Sequence, residues 1–155
     1  MGDRCGIIHS AIEATPTWGT LIAVSGLYES DPMYIVDQTP FINGVLLAET
    51  SLAPSELLAS LKSIETKLGR IQREQNGPRE IDLDIIWYEG YNSKAGETPQ
   101  IPHPRAHERR FVLEPLNEIA PELLLQGYGV VRDLLMDYGV QSQKVRRVQD
   151  APILI

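Results

Sequence analysis

The chain has 155 residues, about the length of one domain and enough to bury a hydrophobic core. Hydrophobic residues make up 43% and charged residues 23%, so a disordered or collagen-like chain is excluded. The net charge of −7 argues against a nonspecific nucleic-acid-binding surface, and no apolar run is long enough for a membrane-spanning helix.

In the first half of the chain, hydrophobic periodicity predicts a helix, two β segments and a second helix. Apolar residues at helical spacing predict a helix over residues 3–15. Runs rich in β-branched and other apolar residues predict strands over residues 20–28 and 41–49. The apolar stripe that follows Pro54 predicts another helix, which Gly69 would end.

The second half continues with one strong strand pattern and two helical patterns. Alternation over residues 81–88 predicts a strand, and residues 105–119 and 130–138 have helical spacing. This order favours an α+β fold in which helices cover one face of a mainly antiparallel sheet. We assign residues 1–140 to one domain and residues 141–155 to a tail, which is an edge strand or a linker to a further domain.

Two aspartates in the predicted strand are the first candidates for chemistry. Successive side chains of a strand point to opposite faces, so Asp82 and Asp84 would project side by side, about 6 to 7 Å apart. Such a pair suits hard cations such as Mg²⁺ bound together with phosphates. A solvated polar edge is the ordinary alternative for two aspartates at this spacing. The Arg-rich segment just before the strand favours a phosphate site.

Arginine, histidine and phenylalanine residues add further candidates. Arg70 and Arg79 would bind phosphate oxygens in bidentate geometry, although each alone is more often a solvated surface group. His103 lies between two prolines that would present its imidazole to a ligand, or it is a structural histidine. Phe41 and Phe111 are the only phenylalanines, and they either pack in the core or bracket a flat heterocycle.

Together, two long motifs resemble the hydroxymethyldihydropterin pyrophosphokinase family. The first is Gly-Pro-Arg-Glu-Ile-Asp-Leu-Asp-Ile at residues 77–85, and the second runs from Ile-Pro-His-Pro to Leu-Glu-Pro-Leu at residues 101–116. The resemblance includes Phe-Ile-Asn-Gly at residues 41–44 and Leu-Gly-Arg at residues 68–70, in the order and spacing of the family. It covers about residues 2–125.

The resemblance implies a fold and a reaction. The fold would be a ferredoxin-like α+β sandwich. The reaction, a step of folate biosynthesis, would transfer the β,γ-diphosphate of ATP to 6-hydroxymethyl-7,8-dihydropterin and release AMP. It would depend on two Mg²⁺ ions.

The resemblance also implies which residues form the site. The ligands of the two Mg²⁺ ions would be Asp82 and Asp84. The catalytic set would consist of Arg70, Arg79, Asp82 and Asp84. ATP would contact Arg79, Ile85, His103 and Arg109. The pterin would contact Ser30, Met33, Phe41, Asn43, Asp82 and Phe111.

Two sequence features differ from those of a free-standing family member. The family begins with a central strand and a glycine-rich turn, of which only Gly2-Asp3-Arg4 is present, so we expect residues 1–155 to be a segment of a longer chain. Asn-Gly-Pro-Arg at residues 76–79 resembles the fungal and plant versions, which implies fusion to a dihydropteroate synthase.

The single cysteine, Cys5, favours a reducing compartment. We therefore expect a cytoplasmic protein, or a mitochondrial one if it is part of a longer eukaryotic chain.

Two noncatalytic functions are the alternatives. A ferredoxin-like domain can bind RNA through exposed aromatic residues of its sheet, but the negative charge and the absence of a K/R-G-F/Y strand motif oppose this function. A noncatalytic nucleotide-binding domain of a larger enzyme is the other alternative. The matched chemical positions oppose it. We expect neither a nucleic acid nor a membrane as a partner.

Overall fold

The computed structural model describes residues 2–30, 41–74, 81–94 and 96–150, and for residues 2–4 and 70–74 it describes the backbone alone. The chain forms two compact units. Unit 1 comprises Met1–Leu21 and Ala48–His103, and unit 2 comprises Ile22–Leu47 and Pro104–Ile155. Within the described residues, no helix is both long and apolar enough to cross a lipid bilayer.

The described parts of the chain contain both helices and short strands. The α-helices found there are α1 (Gly2–Glu13), α2 (Pro54–Glu74), α3 (Arg110–Ile119), α4 (Val131–Leu135) and α5 (Tyr138–Gln141). The strands found there are β1 (Thr20–Val24), β2 (Leu27–Ser30), β3 (Phe41–Asn43), β4 (Leu46–Glu49), β5 (Leu124–Leu125), β6 (Gly129–Val130) and β7 (Val145–Gln149).

Antiparallel pairing dominates the described strands. Strand β2 lies at the centre of a three-stranded sheet of order β3-β2-β7 and runs antiparallel to both neighbours. Strands β5 and β6 form an antiparallel pair, and β1 with β4 forms a third small sheet. Helix α3 packs against β2 and β3 in unit 2. The predicted α+β class, with helices packed on antiparallel sheets, is confirmed.

Helix α2 supplies much of the hydrophobic core of unit 1. Its start at Pro54 agrees with the prediction, and Glu56 accepts a hydrogen bond from the Ala53 N–H (2.9 Å), satisfying a free donor at the helix start. The predicted apolar stripe is buried at Leu57, Leu61 and Ile64. The first two of these residues form a cluster with Ile85 and Ile101. This core holds the segment that carries the two aspartates.

The prediction that Gly69 ends this helix is wrong, because α2 continues to Glu74. A glycine inside a helix costs only about 1 kcal/mol relative to alanine. The residues after Gly69 are Arg, Ile, Gln, Arg and Glu, most of which are good helix formers, and they include no proline. The helix therefore continues past this one unfavourable position.

The prediction of a strand over residues 81–88 is also wrong in part. The segment alternates as predicted, with Asp82 and Asp84 exposed and Ile85 buried, but no strand is assigned to it. A strand requires a ladder of backbone hydrogen bonds with a neighbour. Here the Leu83 N–H donates instead to the Glu65 carboxylate of α2. A side chain thus takes the place of one ladder partner.

Each of the two predicted strand runs in the first half is broken near its middle. Residues 20–28 divide between β1 and β2, and residues 41–49 divide between β3 and β4. The break in the first run has a specific cause, since the Gly26 N–H donates to the Glu118 carboxylate (3.2 Å). A Cβ atom at Gly26 would lie 2.6 Å from the Gln149 carbonyl oxygen, so only glycine fits there.

The two helical patterns after residue 104 form shorter helices than predicted. A 3-10 turn at Ala106–Glu108 precedes α3, so α-helix covers only part of residues 105–119. The pattern at 130–138 divides into α4 and α5, since the Asp137 carboxylate caps α5 by accepting a hydrogen bond from the Val140 N–H.

Strand β7 lies at the edge of its sheet and within residues 141–155, the tail for which an edge strand or a linker was predicted. Its sequence, Val-Arg-Arg-Val-Gln, is largely exposed, and pairing with β2 along one edge makes it a strand. Residues 151–155, the end of that tail, lie outside the described residues.

Glu118 anchors the second half of α3 to the sheet of unit 2. Its carboxylate accepts hydrogen bonds from the Gly26 N–H, the Tyr28 hydroxyl (2.7 Å) and the Arg147 guanidinium (3.1 Å). Burial raises the pKa of Glu118, but these three hydrogen bonds outweigh burial and lower it overall. The Glu118 side chain is only 27% exposed, so the contact fixes α3 over β2 and β7.

Tyr28 gives this anchor a measurable dependence on pH. Burial and the hydrogen bond to Glu118 raise the pKa of Tyr28 from 10.0 to about 12. The neutral hydroxyl therefore stabilises the folded state fully below pH 10, and this stability is lost as the pH rises from 10 to 12. We expect Tyr28→Phe to lower the free energy of unfolding by about 1 to 2 kcal/mol at pH 8, and by progressively less between pH 10 and 12.

Urea unfolding of both proteins across this pH range measures the difference. Tyr138→Phe serves as the control, since the Tyr138 side chain is 87% exposed. A difference between wild type and Tyr28→Phe that stays constant from pH 8 to pH 12 would contradict the raised pKa.

Candidate active site

The two predicted metal-binding aspartates lie on the same exposed side of their segment in unit 1. Asp82 and Asp84 are exposed, whereas Leu83 and Ile85 between and beyond them pack against the core cluster. The inward residues fix the register, so the carboxylates share one face as the sequence predicted. The structure therefore brings the carboxylates of Asp82 and Asp84 to the surface on a segment anchored by α2.

His103 lies close to this segment along the chain fold. Its backbone N–H donates to the Ile86 carbonyl oxygen (3.0 Å), two residues beyond Asp84. The preceding Ile101 is 1% exposed, and Ser93 holds it by accepting a hydrogen bond from the Ile101 N–H (2.7 Å). The His103 backbone therefore lies next to the segment that carries Asp82 and Asp84.

Ile85, which the family resemblance gives as an ATP contact, has a buried side chain. Its side chain is 8% exposed and packs with Leu57, Leu61 and Ile101 in the core. A contact between Ile85 and a nucleotide would therefore use main-chain atoms. The side chain contributes by holding the aspartates at the surface.

The carboxylate oxygens of Asp82 and Asp84 suit a magnesium ion that takes its other ligands from water and substrate. Among the described residues, no group of three or more His, Cys, Asp or Glu side chains is arranged to hold a metal ion. Mg²⁺ commonly binds one or two carboxylates and completes its shell with water and substrate phosphates. Two exposed carboxylates on one face fit this mode of binding.

Unit 2 brings three of the predicted pterin-binding residues together on the β2–β3 pair. Ser30 lies directly opposite Phe41, and Tyr28 lies opposite Asn43. Residues that are two apart on a strand, or directly opposite across a ladder, point to the same face, so Ser30, Phe41 and Asn43 share a face. The Phe41 side chain is 50% exposed, whereas Ser30 is buried. Phe41 thus presents a half-exposed ring.

The start of α3 places Phe111 on the side that faces this sheet. Phe111 and Glu118 are seven residues apart, which puts them on the same face of a helix. Glu118 bonds to Tyr28, so this helix face is turned towards the face of β2 and β3 that carries Phe41. Arg109 lies over the Phe111 ring with its guanidinium carbon 5.6 Å from the centroid, a cation–π contact. Phe41, Asn43 and Phe111 are all predicted pterin contacts.

The three arginines near the start of α3 have different partners. Arg105 donates to Glu108 (2.7 Å), and Arg110 donates to Glu114 (2.8 Å). Arg109 makes the cation–π contact with Phe111, a predicted site residue. Arg110 thus forms an ion pair within α3.

Three predicted residues are not placed. Met33 and Arg79 lie outside the described residues. Arg70 is part of α2, but its side chain lies outside the described part of the chain. The roles predicted for these three residues stay predictions.

Sequence reasoning missed Glu118 and Gln143, which hold the two ends of α3. Glu118 bonds to Tyr28, 90 positions away, and Gln143 accepts a hydrogen bond from the Arg110 N–H, 33 positions away. No spacing rule connects such positions in one sequence. The only signal near Glu118 is its place in the run Glu114-Pro115-Leu116-Asn117-Glu118, which is helical but otherwise ordinary.

Comparison with known proteins gives a family match and several relatives. Residues 1–121 match the family described as 7,8-dihydro-6-hydroxymethylpterin-pyrophosphokinase. The chain is 46% identical over 125 residues to the folic acid synthesis protein fol1 of Pneumocystis carinii, which covers 80% of this chain and 17% of that protein. It is 44% identical over 127 residues to a Bacillus subtilis 2-amino-4-hydroxy-6-hydroxymethyldihydropteridine pyrophosphokinase, covering 79% and 74% respectively.

A plant relative has the name folate synthesis bifunctional protein, mitochondrial, from Pisum sativum. Its identity with this chain is 39% over 120 residues, covering 77% of this chain and 23% of the plant protein. The chain thus spans less than a quarter of the fungal and plant relatives, but about three quarters of the bacterial one.

Proposed function

This chain belongs to the 7,8-dihydro-6-hydroxymethylpterin-pyrophosphokinase family, and we propose that it transfers diphosphate from ATP to 6-hydroxymethyl-7,8-dihydropterin. The hydroxymethyl oxygen would form a bond to the β-phosphorus, and the bond from that phosphorus to the α,β-bridging oxygen would break. AMP and the pterin diphosphate are the products, and the hydroxyl proton is released. The observation that carries the proposal is the exposed pair Asp82 and Asp84 on an anchored segment of a family member.

We propose Asp82 and Asp84 as ligands of two Mg²⁺ ions. Bound there, the ions would neutralise charge on the triphosphate and favour attack at the β-phosphorus. The two carboxylates also concentrate negative charge on one face, which disfavours direct phosphate contact without cations. The chain itself contributes a fixed spacing between these carboxylates, because Leu83 and Ile85 are packed into the core.

Cationic side chains would hold the phosphates during transfer. Arg70 and Arg79 would bind oxygens of the transferring and leaving phosphates, where positive charge stabilises the transition state. His103 and Arg109 would contact the nucleotide phosphates. The His103 backbone is fixed beside Ile86, next to the segment that carries the aspartates.

Phe41, Phe111 and Asn43 would bind the pterin ring. Phe41 and Phe111 offer flat apolar surfaces to a bicyclic heterocycle, and stacking of a heterocycle on an aromatic side chain contributes about 1 to 3 kcal/mol. Asn43, on the same face as Phe41, would satisfy donors and acceptors along the ring edge. Ser30, Met33 and Asp82 complete the proposed pterin contacts.

The noncatalytic and RNA-binding alternatives are disfavoured. The match to the family model extends through all the positions proposed for chemistry, from Ser30 to Phe111. An exposed aspartate pair would repel the phosphate backbone of RNA. Catalysis is therefore the function that the family supports.

We also propose that this chain acts in folate biosynthesis next to a dihydropteroate synthase, either fused or associated. The fungal and plant relatives are several times longer than the matched region, and the plant relative is named as bifunctional. A cytoplasmic location is expected, with a mitochondrial one if the native chain has the form of the plant relative. The mass of the native protein, detected with an antibody against this chain, tests the fusion. A native mass of 17.3 kDa would contradict it.

The first test of the proposed reaction is AMP release from ATP and Mg²⁺, with and without 6-hydroxymethyl-7,8-dihydropterin. Chromatographic separation of AMP, ADP and ATP identifies which phosphate bond breaks. AMP that appears only with pterin supports diphosphate transfer. ADP as the product, or nucleotide turnover that does not respond to pterin, would contradict the proposal.

A further inference from the structure

Helix α3 begins at a position that its local sequence does not favour. The N-cap residue is Arg109, with φ −111° and ψ 112°, and its side chain makes no capping hydrogen bond. Ser, Thr, Asp and Asn are preferred at this position because they satisfy free N–H groups of the first turn. An arginine there also places a positive charge at the positive end of the helix dipole. Some other contact must therefore compensate for this start.

Gln143, which follows α5 in the chain, provides that contact. Its Oε1 accepts a hydrogen bond from the Arg110 N–H (2.9 Å), the first N–H of α3. Its Nε2 donates to the Glu108 carbonyl oxygen (2.7 Å) and to the Gly139 carbonyl oxygen (3.3 Å). One side chain thus caps the helix and ties its first turn to α5.

The Arg110 side chain strengthens the same connection. Its Nη1 donates to the carbonyl oxygens of Gln141 (2.9 Å) and Gln143 (2.8 Å), while its Nε donates to Glu114. The Arg110 side chain is only 21% exposed. Its guanidinium is therefore occupied by the fold, in contrast to Arg109. We refer to the contacts of Arg110 with Gln141 and Gln143 as the α3 latch.

Arg110, whose contacts form the α3 latch, lies between two residues of the proposed site in sequence. Arg109 and Phe111 flank Arg110 in sequence, and their side chains contact each other. Any shift of the first turn of α3 would move both. A displacement of about 1 Å at a reacting group can reduce the rate by about a hundredfold. The position of these two side chains thus depends on whatever holds the start of α3.

We propose that Gln143 is a positioning residue of the active site, acting through the first turn of α3 on Arg109 and Phe111. This inference rests on the proposed diphosphate transfer. A departure from local helix preferences at a functional site, compensated by a remote contact, is the pattern expected where function rather than stability selects the residue.

The test compares Gln143→Ala with Gln126→Ala, an exposed glutamine of unit 2. Gln143→Ala removes the cap but keeps the backbone carbonyl that Arg110 contacts. We expect kcat/KM for the pterin to fall by about tenfold at a temperature well below the melting point of either variant. Gln143→Glu keeps an acceptor for the Arg110 N–H but replaces the donor to Glu108 with a carboxylate oxygen, so it should also show a loss. Gln126→Ala should behave as wild type.

A double-mutant cycle with Phe111→Ala separates positioning from general destabilisation. If Gln143 acts through Phe111, the effect of Gln143→Ala on pterin affinity, measured by calorimetry, shrinks in the Phe111→Ala background. In the Leu124→Ala background, on an exposed residue of the same unit, the effect should be undiminished.

The outcomes distinguish this inference from the function on which it rests. Wild type without pterin-dependent AMP release would overturn the proposed function and this inference with it. With an active wild type, an unchanged kcat/KM in folded Gln143→Ala would overturn the positioning role alone. Full additivity with Phe111→Ala would do the same, since it would show that Gln143 does not act through that ring.

Discussion

Asp84→Asn is expected to lower the rate of pterin-dependent AMP release by roughly a hundredfold to a thousandfold, or about 3 to 4 kcal/mol of transition-state stabilisation. Asparagine keeps the size of the side chain but lacks the charge that a Mg²⁺ ligand supplies. Asp84 is exposed while its neighbours Leu83 and Ile85 are packed, so the free energy of unfolding should change by less than about 0.5 kcal/mol. Steady-state kinetics at several Mg²⁺ concentrations measures the loss.

The matched control is Asp133→Asn, whose side chain is 70% exposed and belongs to α4 in the other unit. Its activity should equal that of wild type. Asp82→Asn should resemble Asp84→Asn, because both carboxylates share one face. Unchanged turnover in folded Asp84→Asn, at every Mg²⁺ concentration, would refute the metal role of this residue.

Phe41→Ala is expected to weaken pterin binding by about 1 to 3 kcal/mol, roughly fivefold to more than a hundredfold, while the affinity for ATP changes by less than about twofold. The ring of Phe41 is half exposed, so its removal leaves little cavity in the core. The loss should therefore come from missing contact with the heterocycle. Calorimetric titration with each substrate separately gives the two affinities.

Leu124→Ala is the control for this variant, because Leu124 is 49% exposed and Phe41 is 50% exposed. It should leave both affinities unchanged. Phe41→Tyr, which keeps the ring, should retain pterin affinity. Equal losses of ATP and pterin affinity in Phe41→Ala would show that Phe41 supports the fold or both substrates, and would contradict the stacking role.

Local sequence patterns determined which side chains of several segments are exposed and which are buried. Alternation over residues 81–88 was enough to put Asp82 and Asp84 on the exposed face, because inward Leu83 and Ile85 require burial whether or not a neighbouring strand is paired. The stripe of α2 was readable for the same reason, since apolar spacing of three and four residues defines one helix face. Side-chain faces depend on neighbours in sequence, and these are visible in it.

Hydrogen-bond partners over long separations were not readable. The break between β1 and β2 depends on the Gly26 N–H binding Glu118, 92 positions away. The length of α2 depended on a glycine that a helix tolerates, and β7 on an exposed run that pairs with β2. In each case a weak local preference was outweighed by contacts that form only once the chain has folded.

The sequence by itself determined the family, the α+β class and the residues proposed for chemistry, because these are carried by contiguous motifs such as those at residues 77–85 and 101–116. Only the tertiary structure decided which arginine is committed to the fold, since Arg109 and Arg110 are adjacent and identical in type. Arg110 bonds to carbonyl groups of a segment 31 and 33 residues away, while Arg109 stacks on Phe111. Two like side chains diverge because the helix turns each towards different neighbours.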